Sequence, residues 1–247
     1  MIFTFHPRHK YTVPERFFSG AFFCPKTRMA IFLGRKKNMY NSYCIVIFAG
    51  INTNSGSFEY PGRELVRRLK SANTDCSVNV LTIYPYDDSI SGDTFSDTFQ
   101  VVKNAYDLRG STVSKMADAI MNNYSSEECI FFIGYSGGGI AATKTAEKLM
   151  RLEFPKISKI IRVGSPVLTV GKLLYGRTID IILQGDPVSQ LEIPRLFKNL
   201  RPYQCYLKGL KVNRHVHSCY FREDLKDSSG ISNLTKTADK ILSFIKN

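Results

Sequence analysis

Ser136 stands in Gly134-Tyr135-Ser136-Gly137-Gly138, a match to G-x-S-x-G. A serine hydroxyl is a weak nucleophile alone, so its chemistry depends on where the backbone puts it. Residues 129–133 are a short apolar run that reads as a buried strand, and residues 140–150 read as a helix. A serine at the tip of a sharp strand-to-helix turn has its hydroxyl pushed clear of the sheet. Gly134 and Gly138 carry no Cβ, so strand and helix can close around it. The helix start behind the serine offers unpaired N–H groups and a positive dipole end, which suit a developing oxyanion. The competing reading is a glycine-rich phosphate cradle, but the turn holds neither G-x-G-x-x-G nor G-K-[ST].

Acyl transfer needs a base and an acid beside that serine, and later strand ends supply both. Thr178-Ile179-Asp180-Ile181-Ile182-Leu183 reads as a strand, and Asp186 follows it in Gln184-Gly185-Asp186-Pro187. Residues 202–207 read as another strand, and the loop 208–220 after it carries His215 and His217. His217 would take the serine proton and return it to the leaving group, and Asp186 would hold the imidazole tautomer. Each role has a rival: His215 for the base, and Asp180, inside a strand, or Glu192 for the acid. His6 and His9 precede the core strands. Backbone N–H groups of Gly137 and Ile51 are expected to bind the oxyanion, with Asn52 as the alternative to Ile51. Tyr135, beside the serine, is expected to line the substrate.

The elements that must position these residues follow the same pattern. Residues 43–49 read as a central parallel strand, ending at Gly50-Ile51. Pro61 opens a helix over 62–71, residues 77–84 form the next strand, and 111–124 form a helix. Residues 157–163 are a further buried strand, and 191–200 are expected to hold a short helix. Residues 231–246 close the chain as an amphipathic helix. Strands alternating with helices predict an α/β fold with a mostly parallel sheet covered on both faces. The long polar stretch 86–110 reads as an insertion that could act as a lid, or as a surface excursion with a short helix. Residues 1–42 mix phenylalanines with basic residues and three prolines. They read as a hairpin at the sheet edge, with an aromatic, basic membrane-facing surface as the sharper alternative.

At this point the chain resembles an α/β-hydrolase, and within that superfamily the lipases and esterases. The order Ser136…Asp186…His217 is the order the superfamily uses. Gly185-Asp186-Pro187-Val188 is similar to the acid turn of many lipases, and His217-Ser218-Cys219-Tyr220 to their histidine loop. The resemblance covers residues 43 to 247, and one domain over 1–247 is expected. It implies a serine hydrolase that cleaves carboxylic esters, acyl or lipid-like, through an acyl-enzyme and without metal or organic cofactor. A thioesterase acting on acyl-protein or acyl-CoA uses the same groups. A binding module without catalysis is the reading from another class. Phe48-Ala49-Gly50 stands where HGGG-type oxyanion loops have their motif, which leaves the identity of the second donor open.

Composition bounds the rest. At 247 residues, 43% hydrophobic and 22% charged, the chain can bury a large core. Its 34 basic against 21 acidic residues give a net charge of +13, which attracts anionic membrane surfaces or acidic polymers. A nucleic-acid role finds no helix-turn-helix, zinc-finger, RRM or KH signature to support it. The longest apolar run, 44–51, is too short to span a bilayer, and the N-terminus has no signal-like segment. Cytoplasm is the default expectation, with signal-less secretion left open. The six cysteines form no C-x-x-C pair and are expected to be reduced.

Overall fold

Alternation along a few apolar strands decides the layering. In β1, Ser42–Phe48, the side chains of Cys44, Val46 and Phe48 enter one core and those of Tyr43, Ile45 and Ile47 enter the other. In β3, Cys129–Tyr135, Ile130 and Phe132 join the first core, and Phe131 and Ile133 the second. A strand buried on both faces must be covered by helices on both, which is the logic of parallel sheets. Each such buried large side chain contributes about 1.5–3 kcal/mol relative to exposure.

The computed structural model describes residues 42–51, 53, 56–86, 110–124, 129–154, 157–193, 200–212 and 215–246. All belong to one unit, Lys37–Asn247. The remaining elements are α1 (Glu59–Ala72), β2 (Ser77–Ile83), α2 (Gly110–Asn123), α3 (Gly138–Arg151), β4 (Ile157–Val163), β5 (Val167–Leu168), α4 (Lys172–Tyr175), β6 (Thr178–Leu183), β7 (Glu192–Ile193), β8 (Tyr203–Leu207) and α5 (Asn233–Ile245). The readings for residues 1–41 and for the lid at 87–109 fall outside the described residues.

Six strands pair in the order β2-β1-β3-β4-β6-β8, every pair parallel. The fold is thus the α/β class with a parallel central sheet. Helices α2 and α3 cover one face through Val113, Met116, Ala117, Ile120, Ile140 and Ala146. Helices α1 and α5 cover the other through Leu65, Leu69, Ala238, Ile241 and Ile245. The chain runs outward from β1 to β2, then crosses back to β3. Strand order therefore reverses between β1 and β3, and such a reversal opens a crevice at the carboxyl ends of the two strands. Ile51 follows β1 there, and Ser136 follows β3.

Local differences from the sequence reading have physical causes. Residues 192–193 are extended, not helical, and β7 pairs with β5 in a two-stranded ladder. Ile193 precedes Pro194, which disfavours helical backbone at Ile193. Helix α1 starts at Glu59 rather than at 62, because Pro61 fits within a first turn whose N–H groups lack partners anyway. Part of the loop 208–220 is a 3-10 turn, Val216–Cys219. The five described cysteines are free thiols.

Candidate active site

The turn after β3 forces Ser136 into left-handed backbone, with φ +54°. For a residue with a Cβ that conformation costs about 1–3 kcal/mol, and surrounding contacts must hold it. Those contacts are present. The Ser136 N–H donates to the Val163 carbonyl at 3.0 Å, tying the turn to β4, and the Gly139 N–H donates back to the Ser136 carbonyl at 3.0 Å. A Cβ on Gly134 would lie 2.4 Å from Gly139 Cα, and one on Gly138 would lie 2.1 Å from the Phe48 carbonyl oxygen. Strand, helix and the end of β1 thus meet around the serine at backbone contact, which only a residue without a Cβ permits.

His217 is held on the 3-10 turn after β8. Its Nε2 lies 2.9 Å from Ser136 Oγ, and its Nδ1 lies 3.0 and 3.1 Å from the two carboxylate oxygens of Asp186. With that carboxylate ionised, Nδ1–H donates to it, which leaves Nε2 to accept from the serine hydroxyl. Asp186 sits two residues past Gln184, after Gly185 at φ +84°. It is fully buried and accepts from the Val188 N–H at 2.9 Å and the Tyr220 hydroxyl at 2.8 Å. Ser136 is buried at 7% exposure and the His217 side chain is 22% exposed, so the imidazole meets solvent while the acid is sealed.

The rivals are placed elsewhere. His215 is exposed, and its carbonyl closes the turn by accepting from Ser218 N–H and hydroxyl. Asp180 is paired with buried Arg162 on β4, Arg162 Nη2 donating to it at 2.8 Å. Glu192 lies in β7. Asn52, His6 and His9 fall outside the described residues.

The expected anion donors lie beside the serine. A Cβ on Gly50 would sit 3.0 Å from Ser136 Cβ, so Gly50-Ile51 abuts the nucleophile's turn. Among the described residues, neither the Gly137 N–H nor the Ile51 N–H donates to a protein acceptor. The Gly137 carbonyl is pinned by the Tyr86 hydroxyl at 3.0 Å, and burial pushes Tyr86 above the ordinary tyrosine range, keeping it a donor.

Tyr135 packs under the imidazole. Its ring stacks on His217 at 5.3 Å and 12°, and its hydroxyl donates to the His217 carbonyl at 2.8 Å. Phe58 and Phe221 close around it at 5.6 Å. Burial, and then the Asp186 charge, push its phenol up, so it stays a neutral donor. In this arrangement it anchors the histidine turn.

Sequence reasoning gave no role to Tyr220 or to Asn233, which holds the Cys219 carbonyl at 2.9 Å. The sequence signal was present, a tyrosine three residues after His217, but its partner lies 34 residues away. Among the described residues, no group of three His, Cys, Asp or Glu side chains is placed to hold a metal ion.

A parallel sheet, a strained serine elbow, and an acid and a histidine past later strands are now all placed. This is an α/β fold with the serine, the acid and the histidine at the ends of parallel strands. No protein-family model matches the chain, and no curated protein sequence matches it significantly. Among solved structures, it is similar to RedJ, a thioesterase from the prodiginine biosynthetic pathway of Streptomyces coelicolor, at 18% identity over 54% of this chain and 46% of that one, TM-score 0.34. The chain thus spans about half the length of RedJ. It is also similar to a Trichoderma reesei cutinase bound to a phosphonate inhibitor, at 16% identity over 60% of this chain and 64% of that one, TM-score 0.42. A third is the NocB thioesterase domain in covalent complex with a fluorophosphonate, at 13% identity over 83% and 94%, TM-score 0.47.

Proposed function

We propose that the protein is a serine hydrolase that cleaves carboxylic esters through an acyl-enzyme, with Ser136 as nucleophile, His217 as general base and acid, and Asp186 as the acid that orients it. The observation that carries this reading is the position of His217, whose two ring nitrogens reach Ser136 Oγ at 2.9 Å and the Asp186 carboxylate at 3.0 Å. His217 takes the proton as Oγ attacks the acyl carbon and gives it to the leaving oxygen as the tetrahedral intermediate collapses. Water then repeats the cycle on the acyl-enzyme. The Gly137 and Ile51 N–H groups receive the oxyanion, each such donor being worth about 3–4 kcal/mol of transition-state stabilisation. The strain at Ser136 supports the reading, because backbone held at φ +54° has a cost that folding alone does not require.

The acyl group is lipid-like in this proposal. The phenylalanine-rich, basic N-terminal sequence and the net charge of +13 favour contact with an anionic membrane surface, where such substrates lie. Thioesters are a second substrate class for the same site, since the nucleophile reads the acyl carbon and not the leaving atom. The test is turnover of a p-nitrophenyl ester series from acetate to palmitate, run beside palmitoyl-CoA, for the wild type and Ser136→Ala. The expected loss in Ser136→Ala is about 10³-fold or more on every substrate cleaved. Equal rates in the two proteins, or no turnover of any acyl substrate, would return the chain to the class of binding modules.

A further inference from the structure

We propose that Tyr220 is a positioning residue that sets the charge balance of the Asp186–His217 pair through a directed hydrogen bond to Asp186. The inference rests on the catalytic reading above and adds a fourth side chain to it.

A phenol oxygen has one proton to give, and the geometry decides where this one goes. The Leu183 N–H donates to the Tyr220 oxygen at 2.8 Å, and that oxygen lies 2.8 Å from Asp186 Oδ2. With a backbone donor already on the oxygen, the O–H points at the carboxylate. The ring is fully buried, and burial followed by the Asp186 charge pushes its phenol up, so it stays a donor wherever the enzyme is folded. Asp186 is buried with His217 on both oxygens, Val188 N–H on Oδ1 and Tyr220 on Oδ2. Among the described residues no lysine or arginine is paired with it. A buried carboxylate without a fixed cation depends on its donors, and each donor removed shifts negative charge toward those that remain.

The surrounding structure is built to keep this contact. Gly164, at φ +56°, lies on the end of β4, and a Cβ there would come 2.6 Å from Tyr220 Cε2 and 3.1 Å from Asp186 Oδ2. On the other side, Thr237 of α5 donates to the Tyr220 carbonyl at 2.7 Å, and Asn233 donates to the Cys219 carbonyl at 2.9 Å. The start of α5 therefore fixes the backbone that carries both His217 and Tyr220. The groups facing the pair can be named by element. Tyr135 of β3 stacks under the imidazole, and Cys219 shares the 3-10 turn, its thiol donating to the His215 carbonyl. Ser189, after β6, donates to the Asp186 carbonyl. Beyond the turn, Arg222 pairs with exposed Asp224, and Glu223 accepts from the Ser232 hydroxyl. From α5 the residues that reach the turn, Asn233 and Thr237, are uncharged.

With the phenol removed, Asp186 must lean harder on His217, and the protonated imidazole is the stronger donor. Protonation of the pair then begins at higher pH. Tyr220→Phe keeps the ring and removes the oxygen, so the acid limb of kcat/KM should move up by about one pH unit, with kcat falling about tenfold while KM changes little. The imidazole NMR titration of His217 in the same variant should move in the same direction. Tyr220→3-fluorotyrosine, introduced at that codon alone, is a stronger donor and should move both readouts down. A folded Tyr220→Phe with neither readout moved would show that Tyr220 only fills space and overturn the proposal. Where that variant fails to fold, the fluorinated protein decides by itself, since an unmoved acid limb there overturns the proposal equally. A wild type that hydrolyses no acyl substrate would sink the hydrolase reading, and the imidazole titration would still decide the role of Tyr220.

Discussion

At Ser136 the fold works against the side chain it carries. A φ of +54° suits glycine and penalises every residue with a Cβ. Ser136→Gly should therefore be more stable than Ser136→Ala by about 1 kcal/mol, although both lack the hydroxyl. Urea denaturation of the two variants checks it, and a glycine variant no more stable than the alanine one would show that the elbow is unstrained. The residues that meet at this turn were legible in the sequence to different degrees. Ser136 announced itself by its flanking glycines, and Asp186 and His217 by following apolar runs that had to be strands. The role of Tyr220 was not legible, because its partner is set by how the turn after β6 meets the turn after β8. No local pattern of residues encodes that meeting. Tyr135, expected to line the substrate, has its ring stacked on the imidazole. A side chain one place before the nucleophile has two faces available, and packing by Phe58 and Phe221 selects one.

Among the elements, α1 and α5 are coupled by charge as well as by their apolar faces. Arg68 on α1 reaches both Glu64 on its own helix and Asp239 on α5. The hydrogen bonds from Arg67, and then the one from Arg68, lower the Glu64 carboxyl from an ordinary 4.5 to about 2. A carboxyl depressed in the folded state stabilises above its unfolded value and loses that contribution as pH falls through the folded one. The contribution of Glu64 is thus complete above pH 4.5 and gone near pH 2. Glu64→Gln should lower the unfolding free energy at pH 7, read by urea denaturation, by a modest amount, about 1 kcal/mol or less, since Arg67 is largely exposed. The gap between wild type and variant should close on acidification, and a gap of constant size from pH 7 to pH 2 would contradict the assignment. Most elements were legible from their period, β4 and β6 to the residue. Where the structure differs, at 192–193 and at 216–219, the segments are too short for a period, and pairing with β5 or tethering by α5 decides their form.

For the whole molecule, strand order does what sequence could not state. A chain that alternates strands and helices can order its strands in many ways, and the order β2-β1-β3-β4-β6-β8 puts the end of β1 beside the end of β3. That reversal gathers Ile51, Ser136, Asp186 and His217 at one rim, from positions spread across more than half of the sequence. The buried pair of Arg162 and Asp180 joins the two strands that follow, at full burial of the arginine, and it accounts for an acidic residue inside an apolar strand. One measurement tests most directly whether that rim is a catalytic site. The intact chain is treated with a fluorophosphonate probe and the adduct is mapped by mass spectrometry, with His217→Ala beside it. A single adduct on Ser136, formed by the wild type and lost or slowed about 10³-fold in His217→Ala, is the predicted result. No adduct on the folded wild-type chain, or an adduct on another residue, would contradict the account.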